Sequence, residues 1–549
     1  MSQTTKTALF LIGATVLLVL SLVSGPRLEE PEVFRDIGEK FFPEFTDPSQ
    51  ATILEVVEFD SSTAELRPFV VQLRNGRWTI PSHHDYPADA KDRMATAASL
   101  LVDLKKEDFR SDGIEDHAKF GVLDPSSEST VDGGSGKRVT FKDGAGNVLA
   151  SLIIGKEVKS GSGLRYVRLP DKKRTYVATL AGEVSTNFSD WIDTDLLQLS
   201  SAALRKLVWD NYRIDEGSRS RVDGERFEAV KVSNQWTMLG LGADEEVDTT
   251  ALNEVASTLD QLKIVGVRAK PAGLTEQLSR AEGITLSQSA VMALLNRGFY
   301  LGNDGNLYSN EGDLHAMTDK GLACTLRFGE ILFGTGADVT AGVDKEGEQA
   351  LQKPGDEGAA SANRFLMITV AFDEGLLKRP SGEEVPAEEL AKRGSARDEI
   401  QKLARAVESY RVANDSLPET LAALTTGEAP LLPELPKDPW GGEYGYTIEL
   451  EGGYQISSLG ADGFEGGTGA NADVVSNNIA FEDQLKKSAE EWKTFRASVT
   501  EGEKLADDLR RRFAPWFYVI DDASFRKLRR DKHEVTKQKA PPAPKDGQQ

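Results

Sequence analysis

The stretch VVQLRNGRWTI, Val70 to Ile80, returns further along the chain as AVKVSNQWTML, Ala229 to Leu239. Laid on itself at a constant offset of 158, the sequence brings Trp78-Thr79 onto Trp236-Thr237 without a gap. Downstream, Ala98-Ser99, Leu101, Leu104-Lys105 and Arg110 fall on Ala256-Ser257, Leu259, Leu262-Lys263 and Arg268. Each copy reads as a strand, a turn and then a helix. Over Pro87 to Lys105, Met94, Ala97, Ala98, Leu101 and Leu104 recur at helical spacing; over Asp248 to Lys263, Leu252, Val255, Leu259 and Leu262 do the same. A helix with one apolar stripe must bury it against a sheet or a second helix. Strand-like runs stand nearby: RVTFKD, LASLIIG, LRYVRL and TYVATL after the first copy, and FYLG, CTLRFGE and FLMITVAF after the second. The Pro-Asp-Lys-Lys step in YVRLPDKKRTYVA reads as a chain reversal between two of them. The expectation is an α+β fold with two related units, 26–200 and 201–394, each carrying an antiparallel sheet. Trp78 and Trp236, at strand ends, are read as core anchors.

A chain of 549 residues is too long for one core and predicts several domains. Its formal net charge of −23 argues against a nucleic-acid partner, because phosphate binding needs clustered Lys and Arg. The single cysteine, Cys324, excludes an intrachain disulfide and a multi-thiolate metal site; inside CTLRF it reads as a buried small apolar residue. The adjacent pair His83-His84 points two ways, which makes a poor chelate and reads as surface polarity. There is no Walker lysine motif, no HExxH and no GxSxG, and GGSGK at Gly133 lacks the second half of a P-loop and reads as a turn. No catalytic residue is assigned, and the chain is read as a non-enzyme.

From Thr7 to Ser24 the run TALFLIGATVLLVLSLVS carries no charge and has about the length needed to cross a hydrocarbon core. Lys6 before it favours a cytoplasmic N-terminus. A signal peptide cut after Gly25 is the competing reading, which Pro26 disfavours. The expectation is a single-pass anchor over 1–25 in the inner membrane, with the rest of the chain periplasmic. Further on, 334–363 is rich in Gly, Ala, Asp and Glu and reads as a solvated loop, while Lys378 to Arg393 marks a boundary. Phe481 to Arg512 has charges of both signs and sparse apolar residues and reads as a long exposed helix. It opens a 479–530 segment that closes with the strand-like FAPWFYVI; 531–549 reads as a disordered tail.

Residues 395–478 form a module of their own. SARDEIQKLARAVESYRVAND reads as a helix with Ile400, Leu403, Ala404, Val407 and Tyr410 in one stripe, followed by PKDPWGGEYGYTIEL, GGYQISSLG and a Gly-rich loop that ends in NADVV. In that loop the glycines permit tight turns while Asp462, Asn471 and Asp473 supply hard oxygen donors, the chemistry calcium requires. It is not an EF-hand, because no alternating Asp/Asn pattern or twelfth-position Glu is present.

Two resemblances follow from these motifs. GRWTIPSHHDYPADAKDRM, DHAKFGVLDP, LIIGK, FSDWIDTDLL, CTLRFGE and RFAPWFYVI resemble the family known only as domain of unknown function 4340, especially its long planctomycete-type members. That resemblance implies a membrane-anchored extracytoplasmic protein related to auxiliary components of ABC-type transporters of the gliding-motility kind. PKDPWG together with Ser458 to Val474 resembles the C-terminal domain of the major pseudopilin of type II secretion. It implies calcium held by the Asp462 and Asp473 carboxylates and the Leu459 backbone carbonyl, with Asn471 as a weaker ligand. The sequence departs where VSNNI replaces a Trp-containing segment of that family. It departs again in the N-terminal apolar run, which lacks an acid and a prepilin leader and lies hundreds of residues from the module. The module is therefore read as an insertion between FLMITVAFDE and the helix from Phe481, not as a filament subunit.

The functional expectation is an envelope accessory or scaffold protein of an ABC-type export or motility system, acting by protein contacts with a permease or ATPase. The alternative is a type II secretion component that touches pseudopilins through the calcium-bound module. A third is a hydrolase of envelope polymers.

Overall fold

The computed structural model describes residues 3–23, 36–60, 65–126, 133–159, 163–215, 217–218, 220–271, 273–275, 286–334, 337–341, 362–450 and 452–539. The fold is α+β with antiparallel sheets. Helix α1, Gln3–Val23, is exposed along its described length and is long and apolar enough to cross a membrane, which fits an anchor or a signal sequence. The chain divides into two compact units. One comprises Met1–Leu196, Lys263–Arg268 and Phe333–Ser361; the other comprises Leu197–Leu262, Ala269–Leu332 and Ala362–Gln549. The boundaries thus differ from a simple division near residue 200, because two short returns of chain complete the first unit.

The first unit is built on a nine-stranded sheet. Its strands are β1 Ile53–Asp60, β2 Glu65–Arg74, β3 Arg77–Ile80, β4 Tyr86–Pro87, β5 Asp108–Ser111, β6 Lys137–Lys142, β7 Val148–Glu157, β8 Leu164–Arg168 and β9 Thr175–Thr179. They run in the order β4-β3-β2-β1-β6-β7-β8-β9-β5. Leu54 and Val56 of β1 are buried in the period-two alternation of a strand, while β6 buries the consecutive run Val139, Thr140 and Phe141 and β7 the adjacent Leu152 and Ile153. Helix α2, Lys91–Ser99, buries Met94, Ala97 and Ala98, and the stripe continues into buried Leu101 and Leu104 beyond the helix end.

The second unit contains β10 Leu204–Asp210, β11 Arg226–Val232 and β12 Gln235–Met238, then helix α3, Thr249–Asp260. Strands β13 Asp313–Thr318, β14 Leu322–Leu332 and β15 Asn363–Phe372 follow. Next come helix α4, Ala387–Asn414, strands β16 Gly445–Ile448, β17 Tyr454–Ser458 and β18 Val474–Val475, and helix α5, Ile479–Phe513. Strand β19, Trp516–Asp521, and helix α6, Asp522–Leu528, close the body. Seven strands of the eight-stranded main sheet run in the order β12-β11-β10-β13-β14-β15-β19. This is the path β3-β2-β1-β6-β7-β8-β9 of the first unit, strand for strand. The two hairpins agree in register as well. Leu73 faces Trp78 and Arg74 faces Arg77, while Lys231 faces Trp236 and Val232 faces Gln235. Both turns place two consecutive residues at positive φ, Asn75 (52°) with Gly76 (76°) and Ser233 (47°) with Asn234 (65°), as the two-residue hairpin turn that matches strand twist requires.

One connection differs. Between β8 and β9 the chain reverses over 169–174, whereas between the paired strands β15 and β19 it leaves for 373–515 and returns. The inserted residues comprise α4, the three-stranded sheet β16-β17-β18 and α5.

Four expectations need correction. Helix α5 is not exposed all round: Leu485, Ser488, Trp492, Phe495, Gly502, Ala506, Leu509 and Phe513 are buried and Val499 half-buried, a seam with alternating steps of three and four interrupted in polarity by Ser488 and Gly502. The tail is structured through residue 539, where Thr536–Gln538 pairs with Glu245–Val247; 540–549 lie outside the described residues. Helix α4 runs unbroken through the anticipated boundary at residue 395, starting after Pro386 with Glu388 and Glu389 in its first turn, where acids favour a helix start. His83 is buried rather than surface polarity. Its ring stacks on Phe188 at 4.4 Å, and its Nε2 lies 3.0 Å from the Thr340 hydroxyl. Of the acidic loop anticipated over 334–363, residues 335–336 and 342–361 lie outside the described residues, and Ala337–Thr340 forms one helical turn.

Candidate functional site

The inserted module has its own core. Ile400, Leu403, Ala406 and Val407 of α4 pack with Leu421, Leu424, Ile456 of β17 and Val474 of β18, so the helix lays its stripe on the small sheet. Trp440, Tyr444, Tyr446 and Tyr454 close the rim of this cluster.

PKDPWG is held by Asp438, which is buried. Its Oδ1 accepts from the amides of Trp440 at 3.1 Å and Gly442 at 2.6 Å, and its Oδ2 accepts from the Ser458 hydroxyl at 2.6 Å. The Ser458 Oγ in turn accepts from the amide of Gly460 at 3.3 Å. One carboxylate therefore shapes the turn and fixes the first residues of the Gly-rich loop, joining the two motifs in space.

Across the loop, Gly460 sits at φ +67°, and a Cβ there would meet the Ala472 carbonyl at 3.2 Å. A Cβ on Gly467, at φ +82°, would lie 2.2 Å from the Asn471 carbonyl. These close backbone approaches require glycine. The four candidate ligands lie on this loop. Asp462 Oδ1 accepts from the amide of Phe464 at 3.1 Å, and Asp473 Oδ2 accepts from the amide of Gly466 at 3.1 Å. The second oxygen of Asp473, Oδ1, is buried without a hydrogen-bond partner. Asn471 ends a short turn, Gly469–Asn471, and Leu459 is partly exposed. Among the described residues no group of three or more His, Cys, Asp and Glu side chains stands together as a metal cluster. The fit to a hard cation rests on the oxygen-only donor set and on the unsatisfied Asp473 oxygen.

Sequence reasoning missed the residue that organises the loop. Arg393 of α4 is 1% exposed. Its Nη1 donates to the carbonyls of Ala470 at 3.0 Å and Ala472 at 2.5 Å, and its Nη2 reaches the Asp473 carbonyl at 3.5 Å. Its Nε donates to Glu482 Oε2 at 3.2 Å, and its Nη2 also donates to Glu482 Oε1. Glu482 lies in the first turn of α5 and is buried too.

In the first unit a cleft of about 370 Å³ is lined by Ser135, Lys137, Lys156, Arg165, Glu58 and Glu183. Lys137 pairs with Glu58 at 3.5 Å and Arg165 with Glu183 at 2.6 Å. In the second unit, burial pushes the Cys324 thiol up to about 12, which leaves it protonated and unreactive.

The geometry defines a class: an α+β protein of two antiparallel-sheet bodies with a small helix-and-sheet module set into one hairpin. Comparison with known proteins gives the particular assignment. Residues 78–277 match the domain of unknown function (DUF4340) family, and residues 385–477 match type II secretion system (T2SS), protein G. The chain thus contains a DUF4340-matching segment over the first of these ranges and carries a protein G domain over the second. The type II secretion system core protein G of Vibrio cholerae serotype O1 is 36% identical over 105 residues, which cover 17% of this chain and 72% of that protein. The core protein G of Pseudomonas aeruginosa is 34% identical over 94 residues, covering 14% of this chain and 66% of that protein.

Proposed function

We propose that this chain is a membrane-anchored extracytoplasmic scaffold that works by protein contacts and presents its protein G module to pseudopilin-type partners. The observation that carries this reading is the module's position between the adjacent strands β15 and β19, with both connections leaving the same sheet. A head so placed is displayed by the body. Helix α1, with its apolar length, supplies the tether.

The experiment is affinity recovery of the full chain from membranes of its native host, beside a variant in which 395–478 is replaced by a short Gly/Ser linker. Recovery of pseudopilins by the full chain and not by the variant supports the reading. An ABC permease and ATPase recovered equally by both would instead assign the contact to the DUF4340 body and favour a transporter auxiliary role.

In the module, the Asp462 and Asp473 carboxylates, the Leu459 carbonyl and the Asn471 amide would hold a calcium ion, which supplies a cross-link between the two ends of the loop. Extracellular calcium modules bind at about 10⁻⁴ to 10⁻³ M. The unsatisfied Asp473 oxygen supports this assignment. Calcium at millimolar concentration should raise the thermal midpoint of the module by mass action, and Asp473→Ala should remove the shift. The two sheet bodies are further read as products of an internal duplication, supported by their common strand path and by hairpin registers that agree at the same offset.

A further inference from the structure

We propose that Arg393 is the positioning residue of the Gly-rich loop, and that through Glu482 it makes the loop and the start of α5 one coupled element. The backbone carbonyls of Ala470, Ala472 and Asp473 converge on one guanidinium. Converging carbonyls repel one another unless a cation or a set of donors lies between them. Arg393 supplies both, from within the chain. The planar fork matters: Nε and Nη2 engage the Glu482 carboxylate while Nη1 serves two carbonyls, an arrangement an ammonium cannot reproduce.

Burial sets the stakes. Arg393 and Glu482 are both withdrawn from water, so each is tolerated only because the other is present. The pair is formally neutral, so neither Asp462 nor Asp473 is needed to balance the Arg393 charge. Gly460 is part of the same arrangement, since a Cβ there would lie 3.8 Å from Arg393 Nη1 and 3.2 Å from the Ala472 carbonyl. On the other side of the loop, Glu482 opens a helix whose seam runs to Phe513, immediately before β19. Order in the loop is thereby linked to order at the head of α5. The positioning role stands on the hydrogen bonds and burial alone; only its consequence for a metal rests on the calcium reading.

The test is hydrogen exchange by mass spectrometry on the full-length protein in detergent, comparing wild type with Arg393→Lys, Arg393→Met and the double variant R393M/E482M. Without calcium, R393M should accelerate amide exchange over 459–473 and 479–486 at least tenfold, while β13, β14 and β15 keep wild-type protection. R393K should fall between. The double variant removes the unpaired buried charge, so it should recover global stability but not loop protection. Wild-type protection of the loop in the double variant would reduce Arg393 to one half of a buried pair and overturn the proposal, as would an unchanged loop in R393M. If R393M does not fold, R393K and the double variant decide the matter by the same readout. Calcium added to wild type separates the two readings: no calcium-dependent protection sinks the metal assignment, while the metal-free comparison still judges Arg393.

Discussion

Trp492 of α5 donates its indole N–H to the carbonyl of Gly382, 2.7 Å away. Gly382 belongs to the outgoing connection and Trp492 to the returning helix, so this bond joins the two chains that lead to and from the module. It is one of a series. Ser488 Oγ donates to the Glu383 carbonyl at 3.0 Å, Arg496 grips Glu384 with two bonds at 2.5 and 2.8 Å, and Leu377 packs with Trp492 and Phe495. The connection is fastened along its length.

Removing the indole should loosen this clamp. Trp492→Ala truncates a large, mostly buried side chain and is expected to cost about 3 to 5 kcal/mol, seen as a lower denaturant midpoint. Trp492→Phe keeps most of the packing and loses the bond, and should cost about 1 kcal/mol. Equal losses for the two variants would show that the hydrogen bond, not the packing, dominates.

Asp438 accepts three hydrogen bonds at a buried position, so Asp438→Ala should release both the PKDPWG turn and the start of the loop. A loss on the order of 3 kcal/mol in module stability follows from bonds to a charged acceptor. Limited proteolysis should then cut between Gly441 and Gly469 at protease concentrations that spare the wild type. Asp438→Asn, which keeps an acceptor oxygen, should be milder.

Burial and the nearby His84 and Arg268 hold the His83 imidazole down to about 4, against an ordinary value near 6.5. The folded form therefore resists a proton that the unfolded chain takes up readily. The stability contribution is fully present above pH 6.5 and is lost as pH falls from 6.5 towards 4, by on the order of 3 kcal/mol. Measured unfolding free energies should drop across that window, and His83→Phe, which preserves the stack on Phe188, should flatten the drop.

Cys324 is fully buried in β14 with its thiol pushed up to about 12. A thiol-specific reagent at pH 8 should label it only after unfolding, and the labelling rate should follow denaturant concentration. Rapid labelling of the native protein would contradict the assigned burial.

The strands were legible because their alternation is local: β6, β7, β8 and β9 coincide with RVTFKD, LASLIIG, LRYVRL and TYVATL, and the paired Trp-Thr steps set the hairpins. The module was legible for the same reason, since PKDPWG and the Gly-rich loop are contiguous motifs. The seam of α5 was not, because Ser488 and Gly502 occupy two of its buried positions and interrupt the apolar pattern. Arg393 was invisible because its partners lie 77 to 89 residues away, and nothing in AKRGSAR distinguishes a guanidinium that enters a core from one that faces water. His83 failed similarly: Thr340, its partner, is 257 residues distant. Side chains whose meaning comes from remote backbone leave no trace in local pattern.

The placement of the head at the turn of a hairpin has a mechanical side. A tug on the head arrives at two neighbouring strands, β15 and β19, at the same end and at the same time, so the load is divided between them. Strand β15 is also bonded along its other edge to β14, over the register Leu322–Phe372 to Leu332–Asn363, and so passes its share inward as shear across a row of backbone bonds. A force that would peel a terminal strand one bond at a time is here resisted by many bonds at once.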